Sequence, residues 1–146
     1  MAKKIREYTI IPVGESTFPQ IKIINSEQAY QFIKEFYGTD ITIYESAFMV
    51  LLNRSGKTLG FVKLSQGGTA GAIIDPKLIA FYAINHLTSS IILAHNHPSG
   101  SLTPSSQDKI ITDQVRRGLK LFDIMLHDHI ILTDREYFSF ADEGLL

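Results

Sequence analysis

Apolar positions along this chain repeat at helical spacing in three segments, and this pattern predicts three helices. Each segment starts near a residue that favours a helix N-terminus, because a short polar side chain there can accept a bond from a free backbone N–H. The first segment also ends at a glycine, which commonly terminates helices. The predicted helices run from Asn25 to Gly38, from Asp75 to about Leu87, and from about Pro104 to Lys120.

Apolar runs too short for helices lie between these segments and predict strands. The two runs that flank the turn sequence NRSGK predict a β-hairpin. The predicted strands are QIKII (20–24), AFMVLL (47–52), TLGFVKLS (58–65), SIILA (90–94), IMLHDHIIL (124–132) and EYFSF (136–140). The remaining segments predict irregular structure: a glycine-rich loop at 66–72, and an arm at 1–19 with room for one short strand.

The order of these elements is helix, hairpin, helix, strand, helix and two strands. Such an order predicts the α/β class, with a mixed β-sheet and helices packed on its faces. We divide the chain into an N-terminal arm, residues 1–24, and one domain, residues 25–146. Sites in sheets of this kind gather beyond the carboxyl ends of strands. The segment AHNHPSG stands at such an end, after the predicted strand SIILA.

Composition narrows the possible functions. The chain has 146 residues, 45% of them apolar, which suits one domain with its own core. It has no cysteine, which excludes disulfides, thiolate zinc sites and cysteine nucleophiles. The 14 basic and 15 acidic residues give no strong field toward DNA or anionic lipid. No apolar run approaches the roughly 20 residues that span a membrane, and no signal-peptide pattern is present, so we expect a cytoplasmic protein.

His95, His97 and Asp108 form a candidate metal site. Residues two apart in an extended chain point the same way, so the two imidazoles can converge. Asp108 lies within about 60° of an apolar helical stripe on the wheel, and an inward carboxylate is costly unless it is paired or bound to a metal. Two imidazoles and one carboxylate that leave a fourth position for water are typical of catalytic zinc sites. The stripe consists of Ile111, Val115, Leu119 and Phe122.

Other interpretations of these residues remain open. Asp108 and Ser105 also fit a capping box, in which each side chain binds the other residue's backbone N–H. A second histidine pair, His127 and His129, alternates on one predicted strand, but no carboxylate on an apolar helical face follows it. We therefore assign this pair no ligand role; Asp128 and His129 either support the first site or cap the strand.

A family resemblance rests on fixed spacing. The run His95-x-His97-Pro98, followed by Ser105 and Asp108, resembles the JAMM pattern of JAB/MPN-domain metalloproteins. The wider text HNHPSG…TPSSQD and DHIILTDREYFSFADEGLL is similar to the RadC-type branch of that family, from about residue 40 onward. The resemblance implies a JAB/MPN architecture, which is cytidine-deaminase-like. It also implies a Zn²⁺ cofactor.

The same resemblance implies a reaction and its residues. The expected activity is that of a zinc metallopeptidase that hydrolyses an amide or isopeptide bond in a peptide or protein substrate. Glu45 fills the place of the family's upstream glutamate and is the expected general base, although Ala47 stands where an aromatic residue is usual. Ser105 is the expected donor to the oxyanion, with Ser106 as the alternative if the helix register differs.

A second function class stays open, namely a RadC-like binding domain without turnover, associated with DNA repair. Full RadC-type proteins commonly carry an N-terminal helix-hairpin-helix region that implies DNA contact. About 40 residues precede the matched part here, fewer than that region and its linker require. This and the balanced charge argue against direct DNA binding, and DNA association stays open with weak support. A deaminase is excluded, because that chemistry uses a P-C-x-x-C pattern. Substrate identity and oligomeric state stay open.

Overall fold

The computed structural model describes residues 1, 3–7, 9, 14–68 and 74–146. Within these ranges the chain forms a five-stranded sheet with three α-helices, and a single turn of 3₁₀ helix (Thr39–Thr42) precedes the first strand. The elements are α1 (Ser26–Lys34), β1 (Ser46–Leu52), β2 (Thr58–Gln66), α2 (Pro76–Asn85), β3 (Ser90–Asn96), α3 (Ser106–Lys120), β4 (Met125–Leu132) and β5 (Tyr137–Ser139). The predicted α/β class and element order are confirmed.

The strands follow the order β2-β1-β3-β4-β5, with β3 and β4 parallel and the other neighbours antiparallel. Because β1 runs antiparallel to β3, the start of β1 lies beside the end of β3, and Ala47 pairs with His95. Because β4 runs parallel to β3, His95 also pairs with Ile131 on the other side. The end of β3 is thus held between two neighbouring strands, which positions whatever side chains it carries.

Helices cover both faces of the sheet. Ile92 and Ala94 of β3 pack in one apolar cluster with residues of α1, whereas Ile91 and Leu93 pack in a second cluster with residues of α2 and α3. Each fully buried aliphatic side chain of this kind contributes about 1.5–3 kcal/mol relative to an exposed one. Continuing the alternation along β3 turns His95 toward α3 and the next residue, Asn96, toward α1.

The predicted helix starts are confirmed by their caps. The Asn25 side chain accepts a bond from Gln28 N at 2.9 Å, and the Asp75 side chain accepts one from Lys77 N at 2.9 Å. Ser105 caps α3. Each cap satisfies a backbone donor that the helix itself leaves free, and typically contributes about 1 kcal/mol.

Three sequence-based predictions are wrong. The first helix ends at Lys34, with Glu35 as its C-cap, and Gly38 instead precedes the 3₁₀ turn. The segment QIKII forms no strand, because Lys22 makes one isolated bridge to Lys57 before the chain turns into α1 at Asn25. Phe122, predicted to lie on the core-facing stripe, is 56% exposed, because α3 ends at Lys120 and the chain turns away.

Two further predictions fall partly outside the described residues. They are the strand allowed for within residues 1–19 and the glycine-rich loop at 66–72, because residues 10–13 and 69–73 are not described. Among the helices that are described, none has the length and apolar character needed to cross a membrane.

Candidate metal centre

Two imidazole rings meet at the end of β3. His95 is buried within the strand, and His97 follows directly after it, where its backbone N–H donates to Leu132 O at 2.9 Å. The strand is longer than SIILA, and its alternation carries both side chains to the α3 face. Their Nε2 atoms lie 3.0 Å apart, as the predicted convergence requires.

A tight turn after His97 returns the chain toward the site. Gly100 N donates to His97 O at 3.0 Å, which closes a turn around Pro98. Gly100 has φ +83°, a left-handed conformation that favours glycine, so this residue type suits the turn. Beyond it, Ser101 O accepts a bond from His97 Nδ1 at 2.7 Å, which orients the ring with Nε2 toward His95.

Asp108 faces both imidazoles from the first turn of α3. Its Oδ1 lies 3.3 Å from His95 Nε2, and its Oδ2 lies 3.5 Å from His97 Nε2. The same Oδ2 accepts Ser105 N at 2.7 Å, while Ser105 Oγ accepts Asp108 N at 3.0 Å. The capping box and the inward-facing carboxylate therefore exist together, and the cap holds the carboxylate in its direction.

Glu45 reaches the same point from the start of β1. It stands two residues before Ala47, the partner of His95, and its backbone O accepts Gly67 N from the end of β2 at 2.8 Å. The potential ligand atoms of Glu45, His95 and His97 all lie within 4.8 Å of one another. Asp108 is also near both imidazoles, with oxygens 3.3 and 3.5 Å from their Nε2 atoms, so either carboxylate is placed to act as a third ligand.

The short distances between these side chains shift the pKa values of Asp108 and His97. Burial by itself raises the pKa of Asp108, but hydrogen bonds from His95 and His97 outweigh burial and hold the pKa well below its usual range. The hydrogen bond with Asp108 raises the pKa of His97. The Asp108 carboxylate is therefore ionised at neutral pH. The space between this carboxylate and the two imidazoles favours a cation.

The donor set fits zinc in type and spacing. Tetrahedral Zn²⁺ with bonds of 2.0–2.1 Å separates its ligand atoms by about 3.3 Å. The separations here are 3.0, 3.3 and 3.5 Å, the last two measured to different oxygens of Asp108. Imidazole nitrogens and a carboxylate are ligands that zinc accepts, and the site needs no thiolate.

Comparison with known proteins decides the family. Residues 23–145 match the RadC-like JAB domain. This chain belongs to the RadC-like JAB domain family. The RadC-like domain is 46% identical to a UPF0758 protein of Porphyromonas gingivalis over 125 residues, which are 85% of this chain and 54% of the relative.

A UPF0758 protein of Flavobacterium johnsoniae is 36% identical over 124 residues, 85% of this chain and 53% of the relative. The UPF0758 protein YfjY of Escherichia coli is 37% identical over 102 residues, 70% of this chain and 64% of the relative. The chain thus spans about half the length of the first two relatives. The resemblance read from the JAMM motif is confirmed as family membership.

His129 of the RadC-like domain joins the site, although its sequence pairing with His127 suggested otherwise. An irregularity in the pairing of β3 and β4 leaves His127 without a partner on β3, and such a bulge reverses the alternation. His127 is exposed, whereas His129 is fully buried with its Nε2 2.8 Å from His95 Nδ1. Burial lowers the pKa of His129 well below its usual value. Of the two open interpretations, support of the first site agrees with the contacts of His129.

Thr112 was missed by the sequence analysis. Its Oγ1 lies 2.6 Å from His129 Nδ1 and donates to Asp108 O at 2.5 Å. A signal was available: Thr112 stands one helical turn after Asp108, on the same inward stripe, where a polar side chain needs a partner.

Asn96 was also missed, and it positions Glu45 from the opposite face of β3. The fully buried Asn96 side chain accepts Ser46 N at 2.7 Å and donates to Ile41 O at 2.6 Å and Tyr44 O at 2.8 Å. These bonds fix the backbone on both sides of Glu45. Alternation gives the signal, because a residue between two histidines that share one face must point to the other.

Tyr37 supports the same segment. Its hydroxyl donates to Ser46 O at 2.7 Å, which adds a bond on the far side of the backbone that Asn96 holds. Burial, and then the negative charge of Glu45, raise the pKa of Tyr37 well above its usual value. The phenol therefore stays protonated and keeps its donor at neutral pH.

Proposed function

We propose that this RadC-like domain is a zinc-dependent hydrolase that cleaves an amide or isopeptide bond in a peptide or protein. The observation that carries the proposal is the convergence of His95, His97 and Asp108, with Glu45 beside them. Membership of the JAB family supports it.

In this proposal His95, His97 and Asp108 hold the metal. A Zn²⁺ ion held there would act as a Lewis acid and would bring the pKa of water toward about 7. Glu45 accepts the proton that the attacking water loses and returns it to the departing amine, a transfer that typically contributes about 10²–10⁴-fold in rate. The bonds from Asn96 and Tyr37 to the neighbouring backbone restrict where the Glu45 carboxylate can lie.

Ser105 is the proposed donor to the oxyanion. Its Oγ accepts Asp108 N, which uses one lone pair and leaves the hydroxyl proton free to donate. Loss of one such donor typically costs about 2.7–4 kcal/mol of transition-state stabilisation. Ser105 takes precedence over Ser106 because Ser105 is the N-cap, in contact with a ligand residue, and Ser106 is the first helical residue.

The test separates metal binding from turnover. Zinc-loaded wild type is incubated with a peptide and isopeptide library, alongside Glu45→Gln and His97→Ala. We expect Glu45→Gln to keep zinc and lose at least about a hundredfold in rate, while His97→Ala loses zinc. Glu35→Gln, on the exposed end of α1, is the matched control and should keep both properties.

Two results would change the proposal. Loss of zinc in Glu45→Gln would make Glu45 a ligand in place of a base. Zinc bound by wild type without cleavage of any library member would favour the alternative, a RadC-like binding domain. Salt-dependent retention of that protein on DNA would then favour its association with DNA repair.

A further inference from the structure

We infer that His129 and Thr112 set the tautomer of His95, so that His95 Nε2 keeps a lone pair for the metal. Both are positioning residues, since neither reaches the ligand atoms of the site. The inference deepens the proposed function and rests on it for the metal, whereas the tautomer is a property of the protein alone.

The hydrogen-bond chain has one direction, because it ends on a group that can only accept. Asp108 O is a backbone carbonyl, so the Thr112 hydroxyl must donate to it across the 2.5 Å contact. That bond uses the only hydroxyl proton of Thr112. Thr112 Oγ1 therefore accepts from His129 Nδ1 across the 2.6 Å contact, and His129 carries a proton on Nδ1.

The direction of the hydrogen-bond chain continues from His129 to His95. His129 is 0% exposed, and its side-chain partners in the described chain, Thr112 and His95, carry no negative charge, so a charged imidazolium would be costly there. A neutral His129 with its proton on Nδ1 has its lone pair on Nε2. His95 Nδ1 therefore donates to it at 2.8 Å, which leaves Nε2 as the ring nitrogen that faces His97 and Asp108 and can give its lone pair to a metal.

The opposite arrangement, in which His129 Nε2 donates to His95 Nδ1, has one proton too few. If His129 Nε2 donated to His95, a neutral His129 would present its lone pair at Nδ1 to Thr112. The Thr112 hydroxyl would then face two acceptors, His129 Nδ1 and Asp108 O, with one proton to share. One of these contacts, of 2.5 and 2.6 Å, would be left without a hydrogen and would bring two lone pairs together, although Asp108 O would still accept the helical N–H of Thr112.

The His129 ring is also held against rotation. Phe140 stacks on it with the ring centroids 4.8 Å apart and the planes 12° from parallel, and Phe140 N donates to His129 O at 3.0 Å. Thr112 lies on α3 and His129 on β4, so the chain of bonds joins the elements around both His95 and Asp108. His97 differs, because its Nδ1 contacts the backbone carbonyl of Ser101, which no side-chain substitution removes.

The experiment compares Thr112→Val, which keeps the shape and loses the hydroxyl, with Thr112→Ser, which keeps the hydroxyl. Two-bond ¹H–¹⁵N correlation spectra of the zinc-free proteins report which ring nitrogen of His95 carries the proton. Competition with a chelator then gives the zinc affinity of each protein. Backbone amide spectra show that each variant is folded.

We expect the Nδ1–H tautomer of His95 in wild type and Thr112→Ser, and a mixture of tautomers in Thr112→Val. Zinc affinity should fall by about 10–100-fold in Thr112→Val, the range for loss of an outer partner of a ligand histidine, and by little in Thr112→Ser. A neutral His95 with its single proton on Nε2 in the wild type would overturn the inference.

An unchanged tautomer in Thr112→Val would overturn it too, even with weaker zinc binding, because Thr112 would then act only through packing. Failure of wild type to bind zinc would instead overturn the proposed metal site. The spectra of the zinc-free protein keep these two failures apart.

Discussion

Asn96 Oδ1 accepts the backbone N–H of Ser46 at 2.7 Å, and this bond joins the strand of the histidines to the segment of the proposed base. The two histidines on either side of Asn96 face α3, while Asn96 itself faces α1. One strand therefore positions the two histidines through one face and the segment of Glu45 through the other.

Replacing Asn96 should destabilise the fold strongly. Asn96→Ala leaves Ser46 N, Ile41 O and Tyr44 O without their partner, at about 1–3 kcal/mol for each unsatisfied buried group, so we expect a loss above about 3 kcal/mol. Urea unfolding measures the loss. Asn53→Ala is the control, because Asn53 makes similar side-chain bonds in the exposed hairpin turn. Losses of equal size would contradict a special role for the buried amide.

Removing the Ser105 hydroxyl should affect both stability and turnover. Ser105→Ala loses the N-cap of α3, which costs about 0.5–2 kcal/mol, and loses the proposed oxyanion donor, which costs about 10²–10³ in kcat. Ser105→Thr keeps the hydroxyl and should retain most of both properties. Asp75→Ala loses the cap of α2 without touching the site, so it should lower the unfolding free energy alone. If Asp75→Ala lowered kcat as much as Ser105→Ala does, the fall in kcat would come from the loss of a helix cap and not from the loss of the oxyanion donor.

Much of this fold follows from local patterns in the sequence. The caps at Asn25, Asp75 and Ser105 mark where the helices begin, because each answers a local need for a backbone acceptor. The convergence of His95 and His97 follows from the geometry of an extended chain. These features depend on neighbours in sequence, and a single sequence displays them.

The parts that were missed depend on pairing between distant segments. The bulge that turns His129 inward is a property of how β4 registers with β3, and the letters LHDHII do not reveal it. The single bridge of Lys22 shows the same limit, since an apolar run becomes a strand only if a partner continues beside it. Phe122 has the spacing of the helical stripe, but α3 ends at Lys120, before the stripe reaches it.

Zinc should stabilise the domain more as the pH rises. Asp108 raises the pKa of His97 in the metal-free protein, so the stability that this proton contributes is present below the usual histidine pKa and lost above the raised one. Zinc needs the deprotonated imidazole, so its binding strengthens over the same interval. Free zinc at a hundred times its Kd should add about 2.7 kcal/mol to the unfolding free energy near neutral pH. Urea unfolding with zinc or with chelator, at acidic and neutral pH, measures the increment, and His97→Ala should abolish most of it.

Asp128 should make stability fall as the pH rises above the usual carboxyl range. Burial raises its pKa, although bonds from Ser139 Oγ at 2.6 Å and Ala141 N at 3.0 Å oppose the shift. The native state then holds a proton that the unfolded chain has lost, so the unfolding free energy decreases as the pH passes from the ordinary pKa through the raised one. Asp128→Asn cannot ionise and should gain stability relative to wild type across that interval.

Urea unfolding of wild type and Asp128→Asn at about pH 4 and about pH 7 measures this difference. Asp113→Asn is the control of opposite sign, because a hydrogen bond from Arg116 is the main cause that lowers the pKa of Asp113. Its variant should lose stability relative to wild type as the pH rises from the lowered pKa to the ordinary one, so this control is also measured at about pH 2. A constant difference between Asp128→Asn and wild type at both pH values would show that burial does not shift the Asp128 carboxyl in solution.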